Sequence, residues 1–201
     1  LALSAQRSFS RFIVGIAIAA VALSVTVMIL AVSLVNGFQQ EIENKIYGFW
    51  GHIHVTPYGF GRSFEDNPIE RDSLLIAVMQ QHDNVKQVQV FAQKGGIMMT
   101  GEQFEGITLR GVGEDFNWTF LSKRLQEGKV PAFRTDELSR EILVSAITAR
   151  RLQLQVGDRV EVHFIESAAK PTRKRIFTVS GIYSTGLAEY DKYFAFVDIK
   201  Q

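Results

Sequence analysis

The strongest constraint in this chain is its run from Ile13 to Val35. These 23 consecutive residues carry no charge, and their only polar side chains are Ser24, Thr26 and Ser33. At about 1.5 Å per residue such a run reaches roughly 34 Å as a helix, enough to cross a hydrocarbon core of about 30 Å. Uncharged runs in helices of soluble domains rarely exceed about 18 residues, and a cleaved signal peptide has an apolar core of only about 7–15. The run therefore reads as a transmembrane helix. Gly15 and Ala19 are spaced by four, as are Ala20 and Ser24. Small residues at that spacing let a second helix approach closely in lipid, so these four are the candidate helix-packing positions.

The flanks give an orientation. Arg7 and Arg11 precede the span, whereas Gln39, Gln40, Glu41 and Glu43 follow it. Basic flanks stay on the cytoplasmic side, so the N-terminus is expected inside and everything after Val35 outside. The helix is expected to continue past the bilayer. Phe38, Ile42 and Ile46 recur every four residues, and Glu41 is one turn from Lys45. That is an amphipathic stalk supported by an ion pair, ending near Gly48. Residues 1–46 thus form the cytoplasmic flank, first span and stalk, and residues 47–201 a folded exported domain.

Basic and acidic residues nearly balance, 22 against 21, which gives no electrostatic case for nucleic acid. The absence of cysteine excludes disulfides and a thiol nucleophile. No phosphate-cradling Gly-x-x-x-x-Gly-Lys-Ser/Thr loop, Gly-x-Ser-x-Gly elbow or His-Glu-x-x-His pair is present. His52 and His54 share one face of an expected short strand, His52 to Thr56, but no third ligand is near, so no metal is assigned. Glu114-Asp115 and Asp136-Glu137 read as caps or solvated turns. The chain is expected not to be an enzyme and to need no cofactor.

Within the exported part the periodicity alternates between helix and strand, an α+β pattern. Tyr58 to Pro68 reads as a loop. Asp72-Ser73 caps a helix to Gln81 with Leu75, Val78 and Met79 inward. Val85 to Thr100 and Phe104 to Val112 are strands joined by Thr100-Gly101-Glu102-Gln103. A helix is expected from Asp115 to Gln126, carrying Phe116, Phe120 and Leu121 and stopped by Gly128. Glu141 to Ser145 is a strand whose last residue caps the helix Ala146 to Leu152. A turn at Leu154 to Asp158 leads to the strand Arg159 to Ile165. A hairpin at Ala168 to Thr172 carries the basic group Lys170, Arg173, Lys174 and Arg175, a solvated end or a surface for an acidic partner. Arg173 to Tyr183 returns, and Tyr193 to Val197 is the last strand.

Taken together these residues resemble a family. A basic flank and uncharged span lead into Val35-Asn36-Gly37-Phe38-Gln39-Gln40-Glu41. Further matches are Gly106-Ile107-Thr108-Leu109-Arg110-Gly111-Val112, the Ile142 to Asp158 block, and Gly181-Ile182-Tyr183 followed by Gly186 and Glu189-Tyr190-Asp191. The pattern is similar to permease subunits of the lipoprotein-releasing ABC transporter, the LolC/LolE type within the MacB and FtsX superfamily. The resemblance implies an N-terminal fragment of a four-span permease with a MacB-like periplasmic core. It also implies a cytoplasmic ABC ATPase subunit, a second permease copy, a lipoprotein substrate and a periplasmic lipoprotein carrier. It places the chain in the bacterial inner membrane. Asn36, Gly37, Phe38, Ile42 and Ile46 then become candidate substrate and stalk residues. Two alternatives share the residues read so far: a related permease of efflux or division type, and a single-pass, signal-anchored binding or sensor domain.

Overall fold

The structure is a computed structural model that describes residues 2–56, 69–101, 103–165 and 173–201, with side chains from residue 11 onward. The chain divides into two compact units, Leu1–Gly51 and His52–Gln201.

The first unit is one helix, α1 (Ala2–Trp50). Every residue from 11 to 41 is exposed, as expected of a helix whose apolar surface belongs in lipid. Within the apolar run the Thr26 hydroxyl donates to the Ala22 carbonyl at 2.8 Å, removing one cost of a hydroxyl inside a bilayer. Beyond the apolar run, Gln39 donates to Glu43 at 2.9 Å and Lys45 lies 3.7 Å from Glu41. The helix ends two residues later than Gly48, the expected stop. Gly51 takes φ +89° and its N–H bonds to the Tyr47 carbonyl at 2.8 Å, so the left-handed stop falls there.

The second unit is built on a seven-stranded sheet. In chain order its elements are α2 (Ser73–Gln80), β1 (Phe91–Thr100), β2 (Gln103–Val112), α3 (Thr119–Ser122), β3 (Leu125–Gly128), β4 (Glu141–Ser145), α4 (Ala146–Arg151), β5 (Arg159–Phe164), β6 (Lys174–Tyr183), α5 (Ala188–Asp191) and β7 (Phe194–Asp198). The strand order is β3-β6-β4-β7-β2-β1-β5, and β5 also pairs with β6. That extra pairing closes six strands into a ring, with β3 added on the β6 edge beyond β5. Pairs β2–β7 and β4–β6 are parallel and the rest antiparallel. Closure leaves the six ring strands without an open edge.

Alternation along the strands fills the ring. Met98, Ile107, Leu109, Ile142, Val144, Val160, Val162, Phe177, Val179, Ala195 and Val197 point inward and are buried. Leu152 and Leu154, around the end of α4, join the same cluster. A second apolar layer lies outside β7 and β4. Phe196 is surrounded by Phe116, Trp118 and Tyr183 at ring-centroid distances of 5.8, 6.0 and 5.7 Å, and Trp118 reaches Phe133 at 5.8 Å. Burying several aromatic rings in tilted and edge-on contact makes this cover a major source of stability.

Several expectations are corrected. His52 to Thr56 is not a strand, and β1 starts at Phe91 rather than Val85. Of the expected helix Asp115 to Gln126 only Thr119–Ser122 is helical, because Phe116 and Trp118 are spent covering the sheet and Leu125–Gly128 pairs as a strand. Gly128 does not stop a helix. It has φ +75°, and a Cβ there would meet the Ser180 carbonyl oxygen at 2.3 Å, so only glycine lets β3 lie against β6. In α2, Leu75 and Val78 face outward rather than inward, while Met79 is half-buried. That helix is apolar on most sides, so its periodicity could not choose a face. Tyr58 to Pro68, Glu102, Lys170 and the Ala168 to Thr172 hairpin lie outside the described residues.

Candidate functional site

The stalk residues occupy the outer third of α1. Four-residue steps drift by about 40° on a helix, so Phe38, Ile42 and Ile46 form one slowly turning stripe. Phe38 is 68 % exposed, whereas Ile42 and Ile46 are half-buried. Asn36 and Gly37 are exposed on other sides of the helix, and a Cβ added at Gly37 would meet nothing within 4 Å. Gly15, Ala19, Ala20 and Ser24 are exposed in the same way, with open space around a Cβ at Gly15. The helix aligns each candidate pair on one side, and the described part of the chain supplies nothing to pack there.

The closing segment after β6 is organised by one buried carboxylate. Asp191, 2 % exposed, accepts the Thr185 N–H at 3.1 and 3.0 Å on its two oxygens and the Thr185 hydroxyl at 2.7 Å. The Gly186 N–H and Ser184 hydroxyl add longer bonds of 3.3 Å. A carboxyl group can be buried when its oxygens are filled with hydrogen bonds this way. The clamp fixes the loop that presents Glu189, Tyr190, Lys192 and Tyr193 around a shallow depression of about 500 Å³. Sequence reasoning quoted Glu189-Tyr190-Asp191 without assigning the clamp. Its signal was an Asp five residues after the Ser184-Thr185-Gly186 turn.

Two more polar groups shape the sheet unit. Arg110 is buried on the outer side of β2 with its guanidinium 4.6 Å above the Phe91 ring; burial lowers its pKa to about 10, and Tyr183 partly offsets this. Burial likewise pushes the Tyr183 phenol well above its ordinary value, with Asp191 adding to the shift and Arg110 opposing it. The phenol donates to the Phe194 carbonyl at 2.9 Å. On the exposed side of β5, His163 and Glu161 meet at 2.5 Å and Lys174 lies 3.5 Å from Glu161. The His163 hydrogen bond, aided by Lys174, holds the Glu161 carboxyl below its ordinary range.

Among the paired carboxylates, Glu114 accepts from the Thr135 N–H at 3.1 Å and its hydroxyl at 2.5 Å, a loop-bracing role. The His54 ring packs 5.6 Å from Phe91. Among the described residues no cluster of three or more His, Asp or Glu could hold a metal ion. The arrangement offers a long apolar helix, an amphipathic extension of it, and a closed sheet with a clamped loop.

Similarity to known proteins extends along most of the chain. Among curated relatives, lipoprotein-releasing system transmembrane protein LolC of Xylella fastidiosa is 25 % identical over 201 residues, covering 97 % of this chain and 46 % of that protein. The protein of the same name from Neisseria meningitidis serogroup B is 24 % identical with the same coverage. The chain thus spans about half the length of the curated relatives it matches. Two solved structures are also similar. The extracellular domain of the noncanonic ABC-type transporter YknZ from Gram-positive bacteria has a TM-score of 0.46 at 20 % identity, over 67 % of this chain and 65 % of that one. The periplasmic region of MacB from Actinobacillus actinomycetemcomitans has a TM-score of 0.46 at 16 % identity, over 72 % and 62 %. Residues 14–201, nearly the whole chain, match one family description, and the chain belongs to the MacB-like periplasmic core domain family.

Proposed function

We propose that this chain is the N-terminal part of a permease subunit of an ABC transporter that extracts lipoproteins from the inner membrane for delivery to the outer membrane. The observation that carries this reading is the match to two lipoprotein-releasing transmembrane proteins along 97 % of the chain. The unbroken helix α1 supports it. A helix with every backbone bond internal crosses lipid without unsatisfied groups and passes displacement along its axis. In this reading ATP is hydrolysed by a separate cytoplasmic subunit and α1 carries the motion outward, beside a second permease copy packed at Gly15, Ala19, Ala20 and Ser24. The stripe Phe38, Ile42 and Ile46, with Asn36 and Gly37, faces the acyl chains of the lipoprotein, which then passes to a periplasmic carrier.

A photocrosslinking amino acid at position 38 tests this. Crosslinks to lipoprotein are the expected result, and crosslinks found only within the chain would remove the substrate role. Phe38→Glu is the companion variant: normal protein levels with lipoproteins retained in the inner membrane support the reading. The family is named for MacB, so a related efflux or division-type permease is the second reading. It predicts no lipoprotein retention in the same variant.

A further inference from the structure

The stretch between α1 and β1 exposes more apolar surface than its own unit uses. Ile53, Val55, Ile69, Leu74, Leu75 and Val78 are each about half exposed or more, and no residue of α2 is buried. Within α2, Leu74, Leu75 and Val78 are 75 %, 49 % and 59 % exposed. At about 100° per residue they fall within one arc of roughly 100°, and Ser73 and Gln80 lie on the opposite side. The helix is nevertheless well started, since the Asp72 carboxylate accepts the Leu74 and Leu75 N–H groups at 2.8 and 3.1 Å. An eight-residue helix is marginal in water on its own, because isolated helices shorter than about 12–15 residues rarely hold. Ile76 and Met79 are half-buried, but the described residues leave the face of Leu74, Leu75 and Val78 uncovered, which calls for an apolar phase outside the unit.

The chain itself carries one such phase within reach. We propose that α2 lies on the bilayer crossed by α1, with Leu74, Leu75 and Val78 seated between the headgroups and the acyl chains.

Chain length permits this. The 15 residues from Asn36 to Trp50 rise about 22 Å as a helix. The 22 residues from Gly51 to Asp72 span up to roughly 70 Å when extended, so this connection is not limiting. On the other side Gln87 is tied to its unit, donating to the Asp115 carbonyl at 2.8 Å and accepting from Asn117 at 3.2 Å. From Gln80 the chain turns, with the His82 N–H on the Met79 carbonyl and the Val85 N–H on the His82 carbonyl, so α2 stays close to the residues that Gln87 anchors. Charge identifies the force. Around the helix Arg71 and Lys86 are outnumbered by Glu70, Asp72 and Asp83, so no basic patch is present. The attraction is therefore apolar insertion and requires no anionic lipid.

The chain has no cysteine, so single substitutions Leu75→Cys, Val78→Cys and Gln80→Cys can each carry a nitroxide label in the full chain. All three positions are exposed, so the label displaces no core contact. In nanodiscs of neutral phosphatidylcholine, collisions with a water-soluble nickel chelate are expected to be several-fold lower at 75 and 78 than at 80. Oxygen collisions at 75 and 78 should rise, and added salt should change neither. Equal nickel access at all three positions would overturn the proposal, because α2 would then stand in water. Exclusion of both reagents at 75 and 78 would also overturn it, because protein would then cover that face.

Discussion

Replacing Asp191 tests whether the closing segment is held by the clamp. In Asp191→Ala the Thr185 and Gly186 N–H groups and the Thr185 hydroxyl lose their acceptor, and the site is too buried for bulk water to replace it. An orphaned buried donor costs about 1–3 kcal/mol, and partial relaxation keeps several in one loop from adding fully, so the total should be about 3–5 kcal/mol. Asp191→Asn should cost less, about 1–2 kcal/mol. Its amide oxygen can keep the Thr185 N–H, and its NH₂ can donate to the Thr185 hydroxyl after that hydroxyl rotates. Urea unfolding followed by tryptophan fluorescence, with Trp50→Phe as the common background so that Trp118 reports, gives both values, and hydrogen exchange at Thr185 and Gly186 locates the loss. The expected order is wild type, then Asn, then Ala, with exchange accelerated in that loop first. An Ala variant within about 1 kcal/mol of wild type with unchanged exchange would refute the reasoning, since the bonds would then have no net worth.

Gly128→Ala should lower stability by about 3 kcal/mol or more, from the left-handed backbone and from contact with backbone atoms of β6 that cannot swing aside; thermal unfolding measures it. Phe196→Ala should cost about 3–5 kcal/mol by emptying the centre of the outer aromatic layer, read by the same assay. Glu161 has a depressed pKa, so its stabilising share is present above the ordinary carboxylate range and lost as pH falls through the depressed value. Glu161→Gln should therefore flatten the acid limb of a melting-temperature profile and narrow its gap to wild type as pH falls. A reporter active only outside the cytoplasm, fused after Gly48, should give signal if Arg7 and Arg11 set the orientation.

The sequence was most legible where one local rule decided the outcome. The uncharged run from Ile13 to Val35 leaves few options besides a spanning helix, and Ser145 is a cap because its hydroxyl accepts the Thr148 N–H three residues on. Alternation placed Ile107 and Leu109 inward with no knowledge of their neighbours. It failed where long-range partners decide. Nothing local in Leu125 to Gly128 announces a strand; its pairing depends on Gly181, 53 positions after Gly128. The helix expected at Asp115 to Gln126 was lost because Phe116 and Trp118 gain more from Phe196, about 80 residues away, than from an amphipathic face of their own. The closure of β5 onto β6 was invisible for the same reason.

Closure also bears on how the unit would respond to force. An open sheet yields by peeling its edge strand, one hydrogen-bonded pair at a time. Here each of the six ring strands is bonded on both sides around a core already filled by Met98, Phe177 and Val179, and the shortest seam is β4–β7, with two residue pairs. The β6 edge, where β5 ends, is continued by β3, with the Lys129 N–H bonding to Ser180 and the Gly157 N–H to Val179, so the seam has no gap there. Packed cores shift between discrete arrangements more readily than they deform. A continuous helix and a closed ring of six strands, with β3 as the one strand bonded on a single side, are the stiff parts that the proposed transmission of motion would use.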